Sequence, residues 1–208
     1  MNTETIVIPE EKQKIILYSR ERFFSEGFAK ITIDEIAREL YISKSTFYKY
    51  FSNKDILIQE SISSVINEVS ARVKLLLESD TNAIEKFTGM IVIMTKNLIR
   101  FSNKFFNDMQ VHTPHIWEKV DEIRKKLMYD NISKIIRQGQ AEKLFIEYPP
   151  ELVLGIFIGA MRNIVNPEFL LHNSYSIDEA AKTGFHILIN GILTEKGKKV
   201  YKQSMILK

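Results

Sequence analysis

The stretch from Thr32 to Leu57, TIDEIARELYISKSTFYKYFSNKDIL, decides the fold. Two short segments with apolar residues at helical spacing are split by Tyr41, Ile42 and Ser43. Beyond the split, Lys44, Lys49 and Lys54 are interleaved with Phe47, Tyr48, Tyr50 and Phe51, without an acid among them. Thr32 stands before IDEIAREL with Glu35 three positions on, the capping-box arrangement that starts a helix. Ile33, Ile36, Ala37 and Leu40 then lie on one face of that helix. Ser43 caps the next helix, KSTFYKYF.

Two short helices with so brief a connection cross steeply, which is the helix-turn-helix geometry whose second helix enters the major groove of DNA. Dividing that second helix by face separates its aromatic residues. Phe47 and Phe51 are four apart, share a side and are expected to fill the core with Ile36, Leu40 and Leu57. Lys44, Ser45, Thr46, Tyr48 and Lys49 are left outside, where hydroxyls and ammonium groups meet phosphates and base edges.

With Gly27, Phe28, Thr32, Ile36, Ala37, Ser43, Tyr48, Phe51, Lys54 and Leu57 in place, the segment from Phe23 to Leu57 resembles the N-terminal domain of the TetR family of transcriptional repressors. Together with the preceding helix, the resemblance covers roughly the first quarter of the chain. It implies that Thr32 and Ser43 place helix N-termini near the DNA backbone. It further implies that Ser45, Thr46 and Tyr48 contact an operator and that Lys54 holds a phosphate. The chain departs from the family pattern at Tyr41, where members often carry glycine; a tyrosine at positive φ costs on the order of 1 kcal/mol.

Outward from this motif the chain reads as nearly all helical. Only five prolines and eight glycines interrupt 208 residues, and apolar spacings are mostly three and four. Pro9, Glu10 and Glu11 suit the first turn of a helix that ends at Gly27, with Ile16, Ser19 and Phe23 on its core stripe. A fourth helix runs from Asp55 to about Glu78, with Lys54 at its start. Further helices are expected over Ala83 to Phe101, Asn103 to Val111 and Trp117 to Gln138, the last stopped by Gly139. Two more follow, one opening at Pro149 and Pro150 and one capped by Ser176 with Glu179 three positions on. The expected organisation is a helix-turn-helix DNA-binding domain over 1–57 and a helical regulatory, ligand-binding and dimerisation domain over 58–208.

The two helices after Tyr148 carry small residues, Gly155, Gly159 and Ala160 on one and Gly184 and Gly191 on the other, beside Leu188. Small residues at such spacing let helices approach closely, either within one chain or across a two-fold four-helix interface. The family resemblance favours the second arrangement and hence a homodimer.

Composition narrows the remaining classes. A net charge of +3 is too small for a wholly basic surface, so any nucleic-acid footprint is local. The absence of cysteine removes disulfides and thiolate zinc sites, and no apolar run approaches a membrane span, so the expected location is the cytoplasm, with no membrane partner. His112 and His115 have metal-like spacing, yet Pro114 separates them and no further ligand completes a site. No phosphate loop or nucleophile elbow occurs, and neither an enzyme nor a cofactor is expected. Asp108, Asp121 and Glu122 read as solvated or capping residues. Phe87, Met90, Met94, Phe105, Phe106, Met109, Trp117 and Met161 combine thioethers with aromatic walls, a lining suited to a small hydrophobic effector, with His112, Tyr129, Asn97 and Arg162 as polar anchors. The expected function is a repressor released from double-stranded operator DNA by such an effector. The alternative is a helical adaptor or small-molecule carrier, which salt-dependent duplex binding distinguishes.

Overall fold

The computed structural model describes residues 9–98, 100–164, 169 and 172–206, and every regular element among them is a helix. In chain order these are α1 (Glu10–Glu26), α2 (Ile33–Glu39), α3 (Lys44–Tyr50), α4 (Lys54–Glu78), α5 (Ala83–Leu98), α6 (Asn103–His112), α7 (Pro114–Ala141), α8 (Pro150–Ile164), α9 (Ile177–Ile192) and α10 (Glu195–Ile206). No described helix is long and apolar enough to cross a membrane.

The structure amends the sequence reading in four places. α5 ends at Leu98, which leaves Phe101 beyond it, and α7 begins three residues before Trp117. Gly139 does not stop α7 but lies inside it, where a Cβ would stand 2.2 Å from the Phe145 ring. The turn that ends the helix has Lys143 at φ 59°, and the Leu144 and Phe145 amides both donate to Gly139 O. The helix before Leu193 is not the last. Thr194 Oγ1 accepts from Gly197 N at 3.0 Å and opens α10, whose buried contribution is chiefly Tyr201. With so many lysines and so few apolar positions, EKGKKVYKQSMI carries little periodic signal.

The chain forms two compact units. The first comprises Met1–Glu68 and Arg100–Asp121. Phe23, Phe24, Phe28, Ile36, Phe47, Phe51 and Leu57 are all essentially inaccessible there, and removal of one such phenylalanine side chain costs about 3–5 kcal/mol. The expected core set of Phe47 and Phe51 with Ile36, Leu40 and Leu57 is buried throughout. Lys12 pairs with Glu60 at 2.7 Å and Arg20 with Glu68 at 3.2 Å. Both pairs span 48 positions, so α1 and the start of α4 run side by side in the same direction. Arg100 joins the second pair through Glu21 and Glu68. α6 is tied to α1 by a Ser102 N to Phe24 O bond of 2.8 Å and by the Phe24, Phe101 and Phe105 rings.

The second unit comprises Val69–Ile99 and Glu122–Lys208. Its centre is Phe87, whose ring stacks on Phe185 at 5.3 Å and meets Phe145 and Phe157 edge-on. The turn from α4 to α5 is held by the Lys86 ammonium on Leu77 O and by Glu142, which accepts from Ala83 N at 2.9 Å. An isolated bridge between Phe145 and Leu193 closes the far end of α9.

Candidate nucleic-acid interface

The face begins at Thr32. Its hydroxyl accepts from Glu35 N while the Glu35 carboxylate accepts from Thr32 N at 2.7 Å, so the reciprocal cap expected from the sequence starts α2. These bonds hold the Glu35 carboxyl below the usual carboxylate range, the backbone N–H of Thr32 being the larger cause. α2 ends in two closing bonds, Tyr41 N to Arg38 O at 3.2 Å and Ile42 N to Ala37 O at 2.9 Å. This is the Schellman pattern, and it puts Tyr41 in the left-handed region at φ 56°, the position that favours glycine.

α3 then opens on a cluster of hydroxyls. Ser43 Oγ accepts from Thr46 N at 3.0 Å and lies 2.7 Å from Ser45 Oγ and 2.8 Å from Thr46 Oγ1. Lys44 reaches back to Asp34 of α2 at 2.7 Å, an exposed ion pair that raises the lysine's pKa and that a phosphate can replace. Phe47 is sealed inside against Phe51, with ring centroids 5.4 Å apart. Tyr48 packs edge-on against Phe47 yet keeps half its surface in solvent. Lys49 lies over the Tyr50 ring, and Tyr50 donates to Glu11 of α1 at 2.9 Å. Ser43, Lys44, Ser45, Tyr48 and Lys49 are therefore all open to solvent on a short helix whose opposite side is fixed.

Lys54, which the resemblance puts on a phosphate, is engaged within the protein in this structure. Its ammonium donates to Phe28 O and reaches towards Ala29 O, and burial of the half-covered group lowers its pKa. Asp108 of α6 approaches the same loop from the amide side. One carboxylate oxygen accepts from Phe28 N at 2.7 Å and from Ala29 N at 2.8 Å. The loop feeding α2 is thus held by a cation on its carbonyls and an anion on its amides. Gly27 makes room for this. Its φ is 77°, and a Cβ there would lie 2.5 Å from the Asp108 oxygen. Asp108 is almost fully buried, so it is neither solvated nor a helix cap. No local pattern identifies such a residue, because its partners lie 79 and 80 positions away.

The residues expected to bind an effector divide between the units. In the first, Phe105 and Met109 are buried, Phe106 meets the Trp117 ring edge-on at 6.1 Å, and His112 is exposed at the end of α6. In the second, Phe87 and Met90 are buried, Met94 and Met161 pack against the same cluster, and Tyr129 is exposed. The residues proposed for an interface also separate. Gly155 and Gly159 face open space near Leu152 and Ile156, which are 64% and 65% exposed. Leu188 is half-buried against the core. Gly184 is turned inward, where a Cβ would lie 2.2 Å from Ile164 Cδ1 of α8, so its close approach is within the chain.

Residues 15–60 match the family model of bacterial regulatory proteins of the tetR family. An uncharacterized HTH-type transcriptional regulator of Bacillus subtilis, YvaF, is 22% identical over 184 residues, covering 88% of this chain and 96% of its own length. A second from that organism, YerO, is 47% identical over 49 residues, 24% of this chain and 17% of its own. The crystal structure of a transcriptional regulator from Cytophaga hutchinsonii shares the fold with a TM-score of 0.68 at 18% identity, over 88% of this chain and 98% of that one.

Proposed function

Because this chain belongs to the TetR family of transcriptional regulators through its helix-turn-helix segment, we propose that it is a repressor that grips a two-fold operator as a homodimer and leaves it when a small hydrophobic compound binds. The observation that carries the DNA reading is the outward row of Ser45, Tyr48 and Lys49 on α3, with Thr46 partly exposed among them, on a helix whose other side is locked by Phe47 and Phe51. Thr46 and Lys49 are assigned to base edges. Thr32, Ser43, Lys44, Ser45 and Tyr48 are assigned to the backbone and groove edge.

Dimerisation is assigned to α8 and α9, where Leu152, Ile156 and Ile187 leave apolar surface open beside Gly155 and Gly159. A symmetric pair of α3 helices then needs half-sites about 34 Å apart or a multiple of that distance. The effector side chains lie in both units, so each set is tested on its own. α4 is continuous from Lys54 to Glu78, and a ligand that favours one setting of this helix changes the spacing of the paired α3 helices.

The deciding experiment is a duplex mobility shift over a salt series. A log-linear fall in affinity with salt is the expected result, since phosphate contacts release counterions, whereas a carrier protein has no such dependence. Hydrophobic cations, fatty acyl compounds and planar aromatics are then titrated into the complex, with Met94→Trp and Phe106→Ala to fill or open the two proposed sets.

A further inference from the structure

We propose that Tyr41 is itself a DNA contact, its phenol donating to a phosphate oxygen beside the bases read by α3, and that this contact is why a strained tyrosine stands where glycine would rest. The proposal builds on the DNA-binding reading above. The backbone at this position is at odds with the side chain it carries. At φ 56° Tyr41 is the one non-glycine residue of the first unit, among the described residues, in the left-handed region. For a bulky side chain that conformation is an outlier, which glycine or asparagine would relieve.

No packing within the protein offsets the strain. The side chain is 96% exposed, the most open of the large apolar or aromatic groups among the described residues. Other tyrosines nearby are employed internally: Tyr18 donates to Glu39, Tyr50 donates to Glu11, and Tyr48 rests on Phe47. Tyr41 instead stands in solvent two residues ahead of Ser43, the cap of α3, next to the exposed Ser43, Lys44 and Ser45. The leading end of a recognition helix is the end that reaches the groove, so a residue just before its cap stands over the flanking backbone. Its own amide and that of Ile42 are bonded to Arg38 O and Ala37 O, which fixes the backbone from which the ring projects. A phenol hydroxyl on such a fixed support is a phosphate donor that adds affinity without reading sequence.

The test uses the full-length protein with Tyr41→Gly, Tyr41→Asn and Tyr41→Phe. Binding is measured to a duplex selected from a random pool by the unaltered protein and to an unrelated duplex of equal length, beside thermal unfolding of each variant. Tyr41→Gly and Tyr41→Asn are expected to melt roughly 2–4 °C higher, because strain is relieved. Both should bind the two duplexes about five- to tenfold more weakly, in the same ratio. Tyr41→Phe should keep the original melting temperature and lose affinity for both duplexes, because it lacks only the donor. If glycine or asparagine binds as tightly as tyrosine, the proposal is overturned while the DNA reading stands. A loss confined to the selected duplex overturns the phosphate assignment. Failure of the unaltered protein to bind either duplex with a salt dependence overturns the DNA reading itself, before any substitution is considered.

Discussion

The Asp108 carboxylate accepts a hydrogen bond from the backbone N–H of Phe28, 80 positions earlier, at 2.7 Å. A second bond, to Ala29 N, makes the same oxygen the anchor of the loop that sets the angle of α2. Asp108→Ala leaves two amides without an acceptor, one of them fully buried, and should destabilise the chain by roughly 2–4 kcal/mol. Asp108→Asn keeps an acceptor but loses the charge assistance and should cost roughly 1–2 kcal/mol. Gly27→Ala is expected to be as damaging as Asp108→Ala, since it combines a left-handed φ with a clash on the carboxylate. Urea unfolding of the three variants checks the order, and equal stability of Asp108→Ala and the unaltered chain would refute the anchoring role.

Lys54 should affect all duplexes alike, whereas α3 should affect their ranking. With its ammonium on Phe28 O, Lys54 orders the backbone behind the reading helix, so Lys54→Ala weakens every duplex by the same factor. Replacing Thr46 or Lys49 shifts sequence preference instead, by roughly 1–3 kcal/mol for each base edge no longer read. Burial lowers the Lys54 pKa, so the folded state binds fewer protons than the unfolded chain just below about pH 10.4 and stability gained through this residue rises with pH there. Denaturant midpoints of the unaltered protein and Lys54→Met, compared from pH 8 to pH 10, should diverge in favour of the lysine as pH rises.

The two capping boxes have an acid signature. Glu35 and Glu179 are both held below the usual carboxylate range by backbone N–H groups of Thr32 and Ser176. A carboxyl with a depressed folded pKa contributes stability that is complete above its unfolded value, about 4.3, and is lost as pH falls through the folded value. Glutamine retains the cap geometry without titrating. The double variant Glu35→Gln, Glu179→Gln should therefore have a flatter stability profile below about pH 4.5, read as thermal midpoint against pH. Parallel profiles for the two proteins would show that the caps do not titrate.

Gly159 and Gly184 separate association from folding. Gly159 faces open space, so Gly159→Trp should leave the protomer folded and divide the proposed dimer, as sedimentation will report. Gly184 is packed against Ile164, and Gly184→Trp should instead destabilise the protomer by roughly 1–3 kcal/mol or more. A monomeric, fully stable Gly184→Trp would reverse this assignment.

What the sequence discloses and what it withholds follow from the range of the interactions. Thr32 with Glu35, Ser43 with Thr46, and the split of Phe47 and Phe51 from Tyr48 all act within one or two helical turns, and the pattern of residues alone names them. The turn at Tyr41 is marked instead by its departure from the family pattern, and the left-handed backbone there comes from the structure. Asp108 reads as solvated or capping because its partners are remote, and Gly139 reads as a stop because the ring filling its place, Phe145, belongs to the next segment. Lys54 is put on a phosphate by family likeness, which does not include the carbonyls that hold it. The boundary at residue 57 follows the motif, whereas the compact unit runs on to Glu68 and includes Arg100–Asp121.

The parallel pairing of α1 with α4 also limits how this chain can be recombined. Helices that run the same way cannot be joined by a tight hairpin, so the segment from Gly27 to Asn53 is both the reading head and the crossover that returns the chain to its starting end. A chimera that grafts a foreign head by cutting at residue 57 replaces α1 while it retains Glu60 and Glu68, the acids paired with Lys12 and Arg20 of the native helix. The unit of exchange is the stretch through Glu68 together with the Arg100–Asp121 segment that carries Arg100 and Asp108. Grafts made on that plan should fold, while those cut at the edge of the motif must rebuild two ion pairs and a buried carboxylate before any new sequence can be read.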